Sequence, residues 1–410
     1  MKNNISHEKS LSLNYEILKK FLLNTRPKVI SVISDDYVLI SVIEKVSGEL
    51  AISVVYIDKE LDHKLIRKVE SYVNSEFRFY FMDNVVKVHE LDNWDDKNSA
   101  CDQLFFLSSG STGIPKIIAK QRKVVIQEAK ELYKIVPHGN NIVSNVSPNH
   151  YYGFIYLIIF SIYLKAKVKI FSPLVPIQHI IKNSNKDVLI ITTPVHEKLI
   201  AKYLNENKVY NILTAGASVD TTTVKSLVSK GIHVFDQFGT TEYGALFITE
   251  YSKNRIIMHY LEGVKLKLFG NYTKVNSPFT AEYYVDTQNI HKSIGFNLQD
   301  IFKKVGSNLV YIGRADNVIN INGIKVNPEV YERVINGISG VSQSFVFKEK
   351  ESLSVRIYPD KTYRQDVSLV KNIRDTLKNN MELNPVYLPT KYYISKKSLT
   401  NNGKFKRRNV

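Results

Sequence analysis

The segment LSSGSTGIPK, residues 107–116, gathers the hydroxyls of Ser108, Ser109, Ser111 and Thr112, the glycines Gly110 and Gly113 and the amine of Lys116 directly after an apolar run. Hydroxyls and glycine-freed backbone N–H groups donate to anionic oxygen, and the lysine adds a mobile positive charge, so the mixture suits phosphate. It is not a Walker loop, which requires G-x-x-x-x-G-K-[S/T] and a following helix; here Pro115 and a β-prone stretch, 116–119, come next. Taken alone, a Ser/Gly-rich surface turn explains it equally well.

Three further stretches bear on the choice. FDQFGTTEYG, residues 235–244, combines the ring of Phe238, Gly239, the hydroxyls of Thr240 and Thr241 and the carboxylate of Glu242. That is a face for a base to stack on, donors for a phosphate and a ligand for Mg²⁺. YIGRADNVININGIKVNPEVYE, residues 311–332, supplies Arg314, then Asp316, Gly323 and a helix-starting Pro328; LTNNGKFKR, residues 399–407, presents Lys404 after a glycine. A hairpin, a strand end and a basic tail would account for them one at a time. Their order along one chain points to a single nucleotide site.

Positioning these groups requires a scaffold of strands that deliver loops to one edge. Short β-branched runs at 29–34, 50–58, 103–107, 166–172, 187–193 and 211–215 alternate with helical spacing at 123–133 and 221–230, and Gly231 occupies a helix-stop position. This predicts an α/β fold with parallel strands. After residue 313 the texture changes to a helix at 328–335, strands at 344–347 and 352–358, a helix at 367–377 and a strand near Tyr392. With 410 residues, enough for more than one domain, the expected organisation is a large N-terminal multi-sheet α/β domain, 1–313, followed by a small mobile α+β domain, 314–410. A short hinge at 314–317 would join them.

With these motifs in this order, the sequence resembles the adenylate-forming superfamily: acyl- and aryl-CoA synthetases, peptide-synthetase adenylation domains and firefly-type luciferases. SSGSTGIPK is similar to that family's phosphate loop, FGTTE to its adenylate-binding loop, GRAD to its hinge, NGKFKR to its catalytic-lysine tail, and ILTAGAS at 212–218 to its adenine loop. The likeness runs from about residue 104 to 407. SPNHYYGFIY, 147–156, and the modest length are similar to stand-alone ligases that load aryl or acyl acids onto carrier proteins, such as those of aryl-polyene clusters, and a compact ligase of this kind would suit siderophore biosynthesis.

The resemblance implies that ATP and a carboxylic acid react to give an acyl-adenylate and pyrophosphate, and that a thiol then takes the acyl group. Ser108, Ser109, Gly110, Ser111, Thr112, Gly113 and Lys116 would hold the β and γ phosphates, Thr241 the α-phosphate, and Glu242 the Mg²⁺ ion. Phe238 would stack on adenine, Asp236 would meet its amino group, Gly216 and Ala217 would line the other side, and Gly239 and Thr240 belong to the same loop. Asp300 would bind the ribose hydroxyls and Arg314 the ribose or a phosphate; Asp316 would be the hinge; Lys404 would bridge the α-phosphate and the carboxylate; His150 would stand near the acyl pocket. The chain departs from the family with Phe238 for a tyrosine, Leu298 and Gln299 for Thr-Gly before Asp300, Asn320 for a lysine, and a short segment before the phosphate loop.

Composition narrows the partners. Lys and Arg total 56 against 39 Asp and Glu, a formal net charge of +17, so the surface attracts polyanions. Scattered basic residues without zinc-finger spacing or an RNP-like strand argue against nucleic acid. An acidic acyl or aryl carrier protein fits this charge; coenzyme A, itself anionic, is the alternative acceptor. Retention of Lys116, Glu242 and Lys404 together weighs against a non-catalytic nucleotide-binding relative. Aromatics at Tyr151, Tyr152, Phe154 and Tyr156 favour an aryl acid over a medium-chain one. One cysteine, Cys101, excludes an intramolecular disulfide; the polar start argues against a secretory signal, and the apolar run at 153–164 is too short to span a bilayer, so a cytoplasmic location without membrane insertion is expected.

Overall fold

Val29–Ile33 and Ser53–Ile57 are β-branched runs buried on both faces, as interior parallel strands must be. They lie side by side in the middle of a nine-stranded sheet. The computed structural model describes residues 8–11, 14–82, 85–92, 101–108, 115–137, 141–171, 188–194, 197, 200–201, 211–216, 219, 221–253, 255–269, 272–286, 289–292, 297–306, 308–321, 324–350, 352–359, 367–380, 383 and 388–395.

In the first sheet Phe77–Met82, Val29–Ile33, Ser53–Ile57 and Gln103–Ser108 run parallel, while the strands outside them, including Lys116–Gln121, pair antiparallel. The second sheet has seven strands. His233–Thr240, Asn211–Ala215, Val188–Thr192, Asn141–Ser144 and Lys167–Ile170 are parallel, and Gly244–Ser252 and Arg255–Tyr260 close one edge antiparallel. The expected parallel strands fill the sheet interiors, and Lys167–Ile170 carries the parallel pairing to one edge of the second sheet. Antiparallel pairs build both flanks of the first sheet and one flank of the second.

Between the sheets lie the helix Arg122–Ile135 and a second helical segment, Tyr151–Gly153, Phe154–Ile159 and Phe160–Tyr163, whose middle section is π-helical. Residues from Phe154 to Phe160 are buried without a break, and their side chains join Ile30, Val54 and Phe106 of one sheet to Leu189, Leu213 and Phe235 of the other in a single core. An apolar run that is hydrophobic all round belongs in an interior. A buried cation holds this layer to the first sheet: Arg122 Nε lies 2.6 Å from Asp102 Oδ1, its Nη2 is 2.6 Å from the Ile52 carbonyl, and its Nη1 pairs with Glu44.

Strand limits are tighter than the sequence predicts. Leu50 follows the Tyr37–Glu49 helix, so the strand expected at 50–58 is confined to Ser53–Ile57. The predicted helices at 123–133 and 221–230 are Arg122–Ile135 and Thr221–Ser229, and Gly231 follows at φ +78°, the left-handed conformation of a helix stop.

A short sheet of Lys265–Phe269, Tyr272–Asn276 and Asn297–Leu298 and the hairpin Asp300–Val305/Asn308–Arg314 follow. Beyond them, Pro328–Asn336 and Val367–Lys378 pack on the sheet Val341–Glu349/Ser352–Pro359/Lys391–Ile394 around a separate core that includes Ile335, Val355 and Ile373. Asn327 caps the first of these helices and proline opens it, the combination that frees least unsatisfied backbone. Among the described residues no helix is long and apolar enough to cross a membrane.

Candidate functional site

The carboxyl ends of the parallel strands Asn141–Ser144, Val188–Thr192, Asn211–Ala215 and His233–Thr240 share one edge of the second sheet. Ligands of open α/β sheets bind in the crevice outside such an edge. Register sets Thr192 beside Thr214 and Thr214 beside Asp236, a polar row on one face, with Ile191, Leu213 and Phe235 turned to the main core on the other. Thr192 Oγ1 donates to Asn145 Oδ1 at 2.9 Å. Tyr152 presents its hydroxyl 3.0 Å from the Leu213 carbonyl and 3.3 Å from that of Thr192, tying the helical segment to the strand ends.

Thr214 Oγ1 and both side-chain amide atoms of Asn149 are buried without a hydrogen-bond partner among the described residues. A buried polar atom left unpaired costs about 1–3 kcal/mol, so these atoms, on a strand end and on the segment that follows a neighbouring strand, fit a ligand that completes them. Gly216 follows at φ +88°, exposed, bending the chain away just past Thr214. Asn149 and Thr214 were not singled out from the sequence. The available signal was a threonine inside the otherwise apolar strand ILTA.

FDQFGTTEYG is a β-hairpin. Asp236, Phe238, Gly239 and Thr240 lie on its first strand, Thr241 and Glu242 in the turn, half-buried. Asp236 is half-buried, and desolvation by the surrounding protein pushes its carboxyl up to about 7. Phe238 is stacked on Phe247 at 5.2 Å and meets the edge of Phe302 at 4.9 Å, which commits much of the ring to protein contacts. A Cβ on Gly239 would stand 2.5 Å from the Gly244 carbonyl, so the close approach of the two strands requires glycine there. Thr240 Oγ1 accepts from the Tyr243 N–H at 3.2 Å and stiffens the turn.

Asp300 and Arg314 occupy paired positions of the next hairpin, with Nη1 3.4 Å from Oδ2. The Asp300 carbonyl accepts from Thr273 Oγ1 at 2.8 Å. Asp316 follows in the 3₁₀ turn Ala315–Asn317. Ser108 pairs in register with Lys116, whose Nζ lies 5.1 Å from the Tyr284 ring centroid. The two strands therefore deliver both ends of the serine-rich loop to one place. Ser109, Gly110, Ser111, Thr112 and Gly113 lie outside the described residues, as do Ala217, Gly323 and Lys404.

His150 is half-buried immediately before the helical segment. Of the four aromatics expected to favour an aryl ring, Phe154 and Tyr156 are fully buried in the core and Tyr151 packs edge-on against Phe106 at 4.9 Å. Tyr152, half-buried, keeps a face toward the edge described above. Among the described residues no group of three His, Cys, Asp or Glu side chains could hold a metal ion, so a cation held by Glu242 would need oxygen ligands from the nucleotide.

Sequence reading also missed a buried charged cluster. Lys120 Nζ donates to the Tyr151 hydroxyl at 2.8 Å, that hydroxyl donates to Glu128 Oε2, and Glu128 Oε1 accepts from the Ala245 N–H at 2.7 Å. Lys120 and Glu128 are both fully buried. Desolvation dominates, lowering Lys120 to about 8 and raising Glu128, against their mutual attraction; Glu242 also acts on Lys120. In the sequence Lys120 sits in KIIAKQ, which reads as an exposed end of a strand.

No protein-family model matches the chain. It is 24% identical over 327 residues to a 2-succinylbenzoate–CoA ligase of Haemophilus influenzae, covering 74% of this chain and 68% of the relative. Over 250 residues it is 24% identical to a 3,4-dihydroxybenzoate–[aryl-carrier protein] ligase of Bacillus anthracis, covering 59% and 58% of the two chains. Among solved structures an anthranilate CoA ligase in complex with anthranoyl-AMP superposes with a TM-score of 0.76 over 96% of this chain and 89% of that one, at 13% identity, a likeness of fold.

Proposed function

We propose, from the premise that the chain belongs to the adenylate-forming superfamily of ligases, that it activates an aryl carboxylic acid with ATP and transfers the acyl group to a thiol. In the first step the carboxylate attacks the α-phosphorus and the bond to pyrophosphate breaks. In the second the thiol attacks the acyl carbon and AMP leaves. The observation that carries the reading is the polar row Thr192–Thr214–Asp236, with the orphaned atoms of Thr214 and Asn149, beside Gly216 and the hairpin that bears Thr241 and Glu242.

Charge accumulates on the phosphoryl oxygens during adenylation, so fixed donors and cations lower the barrier. In this reading the loop from Ser108 to Lys116 grips the β and γ phosphates, Thr241 donates to the α-phosphate and Asp300 accepts from the ribose hydroxyls. Phe238 offers its remaining face to adenine and Asp236 accepts from the amino group. Magnesium bound at Glu242 would neutralise charge on the triphosphate. Lys404, carried on the small domain, would bridge the two reacting groups, and rotation about Asp316 would exchange it for a thiol channel. The aryl class is supported by the names of both curated relatives.

A carrier protein is the acceptor we favour, because such partners are acidic and the chain carries +17. Coenzyme A is the second reading, favoured by the CoA ligase among the relatives. Exchange of labelled pyrophosphate into ATP across aryl and aliphatic acids tests the first half-reaction: an aryl acid should support it, and Lys404→Ala should slow it about a hundredfold or more. Exchange with aliphatic acids alone, or with none, would reject the reading. Thioester formation on a holo-carrier protein against free CoA then identifies the acceptor.

A further inference from the structure

We propose that Lys120, Tyr151 and Glu128 form a buried positioning unit that locks the turn carrying Thr241 and Glu242 to the segment carrying His150, so that nucleotide and acid are seated by one rigid frame. This rests on the reading above for what the turn and the segment bind. The unit has three anchors. Lys120 lies four residues after Lys116 on the strand that leaves the serine-rich loop, Tyr151 follows His150, and Glu128 projects from the Arg122–Ile135 helix to the far stem of the hairpin.

Donors and acceptors match along the chain of bonds, which converges on the Glu128 carboxylate from both sides: ammonium to phenol oxygen, phenol hydrogen to one carboxylate oxygen, backbone N–H to the other. The ammonium also lies over the Tyr151 ring, 4.2 Å from its centroid. Glu128 is fitted closely to the hairpin, since a Cβ on Gly244, at φ +76°, would stand 2.4 Å from its Oε2. Hydrophobic groups of similar volume could fill this space at no loss of stability. A hydrogen-bonded cluster of a cation, a phenol and a carboxyl instead favours a single geometry between elements that are distant in sequence.

The test uses two variants of the full chain. Lys120→Met/Glu128→Gln removes both charges together and keeps an oxygen for the Ala245 N–H; Tyr151→Phe deletes only the bridging hydroxyl and keeps the ring on Phe106. Unfolding midpoint, amide hydrogen exchange of peptides spanning 240–245, and AMP affinity by calorimetry are measured for each. A frame predicts faster exchange in that hairpin and AMP affinity weakened about fivefold or more, at an unfolding midpoint close to that of the unaltered protein. A role in stability alone would lower the midpoint and leave AMP affinity, measured well below it, unchanged. Hairpin exchange and AMP affinity both unaltered in Tyr151→Phe would overturn the proposal. Failure of the unaltered protein to bind AMP would instead reject the functional reading, and hairpin exchange would still decide whether the cluster anchors the turn.

Discussion

Arg314 Nη1 lies 3.4 Å from Asp300 Oδ2, joining the last residue of one strand of a hairpin to the first residue of the other. The carboxylate is nearly buried, the guanidinium two-fifths exposed. The contact fixes the orientation of the Asp300 carboxyl, which the sequence resemblance makes a candidate acceptor for a ribose.

Asp300→Asn should weaken ATP binding about tenfold, the loss of one hydrogen bond to a charged acceptor at about 1.4 kcal/mol. The discriminating measurement compares ATP with its 2′,3′-dideoxy analogue. If Asp300 binds the ribose diol, the substitution removes most of the preference for ATP; a preference that survives would place the diol elsewhere.

Asp236 makes the second prediction, for stability against pH. Its carboxyl is pushed from 3.8 up to about 7 by desolvation, so in that interval the folded protein keeps a proton that the unfolded chain releases. The contribution is fully present below about pH 4 and is lost as pH rises through 7. Asp236→Asn should therefore stabilise the protein at pH 8 by about 1–2 kcal/mol, discounted because the residue is only half-buried, and by little at pH 5. Urea unfolding at the two pH values checks this, and an equal effect at both would contradict it.

The sequence singles out much of the candidate site because its residues are polar where the chain must be polar. Ser108, Lys116 and the FGTTE turn are in loops or at strand ends, where side-chain type reports chemistry more than packing. The buried cluster was not legible. Lys120 follows an apolar run and reads as a strand end facing water, and only the tertiary meeting of Tyr151 and Glu128 makes burial of its charge tolerable. Phe154 and Tyr156 of SPNHYYGFIY belong to the core for the related reason that a tyrosine with its hydroxyl bonded serves a core as well as a pocket. Tyr156 donates to Gln237 Oε1 at 2.6 Å and is fully buried. Antiparallel flanks were missed because hydrophobic pattern reports burial of a strand and not the direction of its neighbour.

Gly153 gives the third prediction. Its backbone is helical, φ −62°, so alanine is locally preferred by about 1 kcal/mol and any loss on substitution must be steric. A Cβ there would stand 2.1 Å from the Ser147 carbonyl oxygen, a backbone atom with little freedom to retreat. Gly153→Ala should cost about 2 kcal/mol and push residues 147–150, which include His150, away from the helical segment. If that segment borders the acid, the KM for the acid rises severalfold. Gly231→Ala is the control: at φ +78° with open space around it, strain alone costs about 1 kcal/mol and the acid KM should not move. Equal effects of the two substitutions on the acid KM would dissociate the 147–150 segment from acid binding.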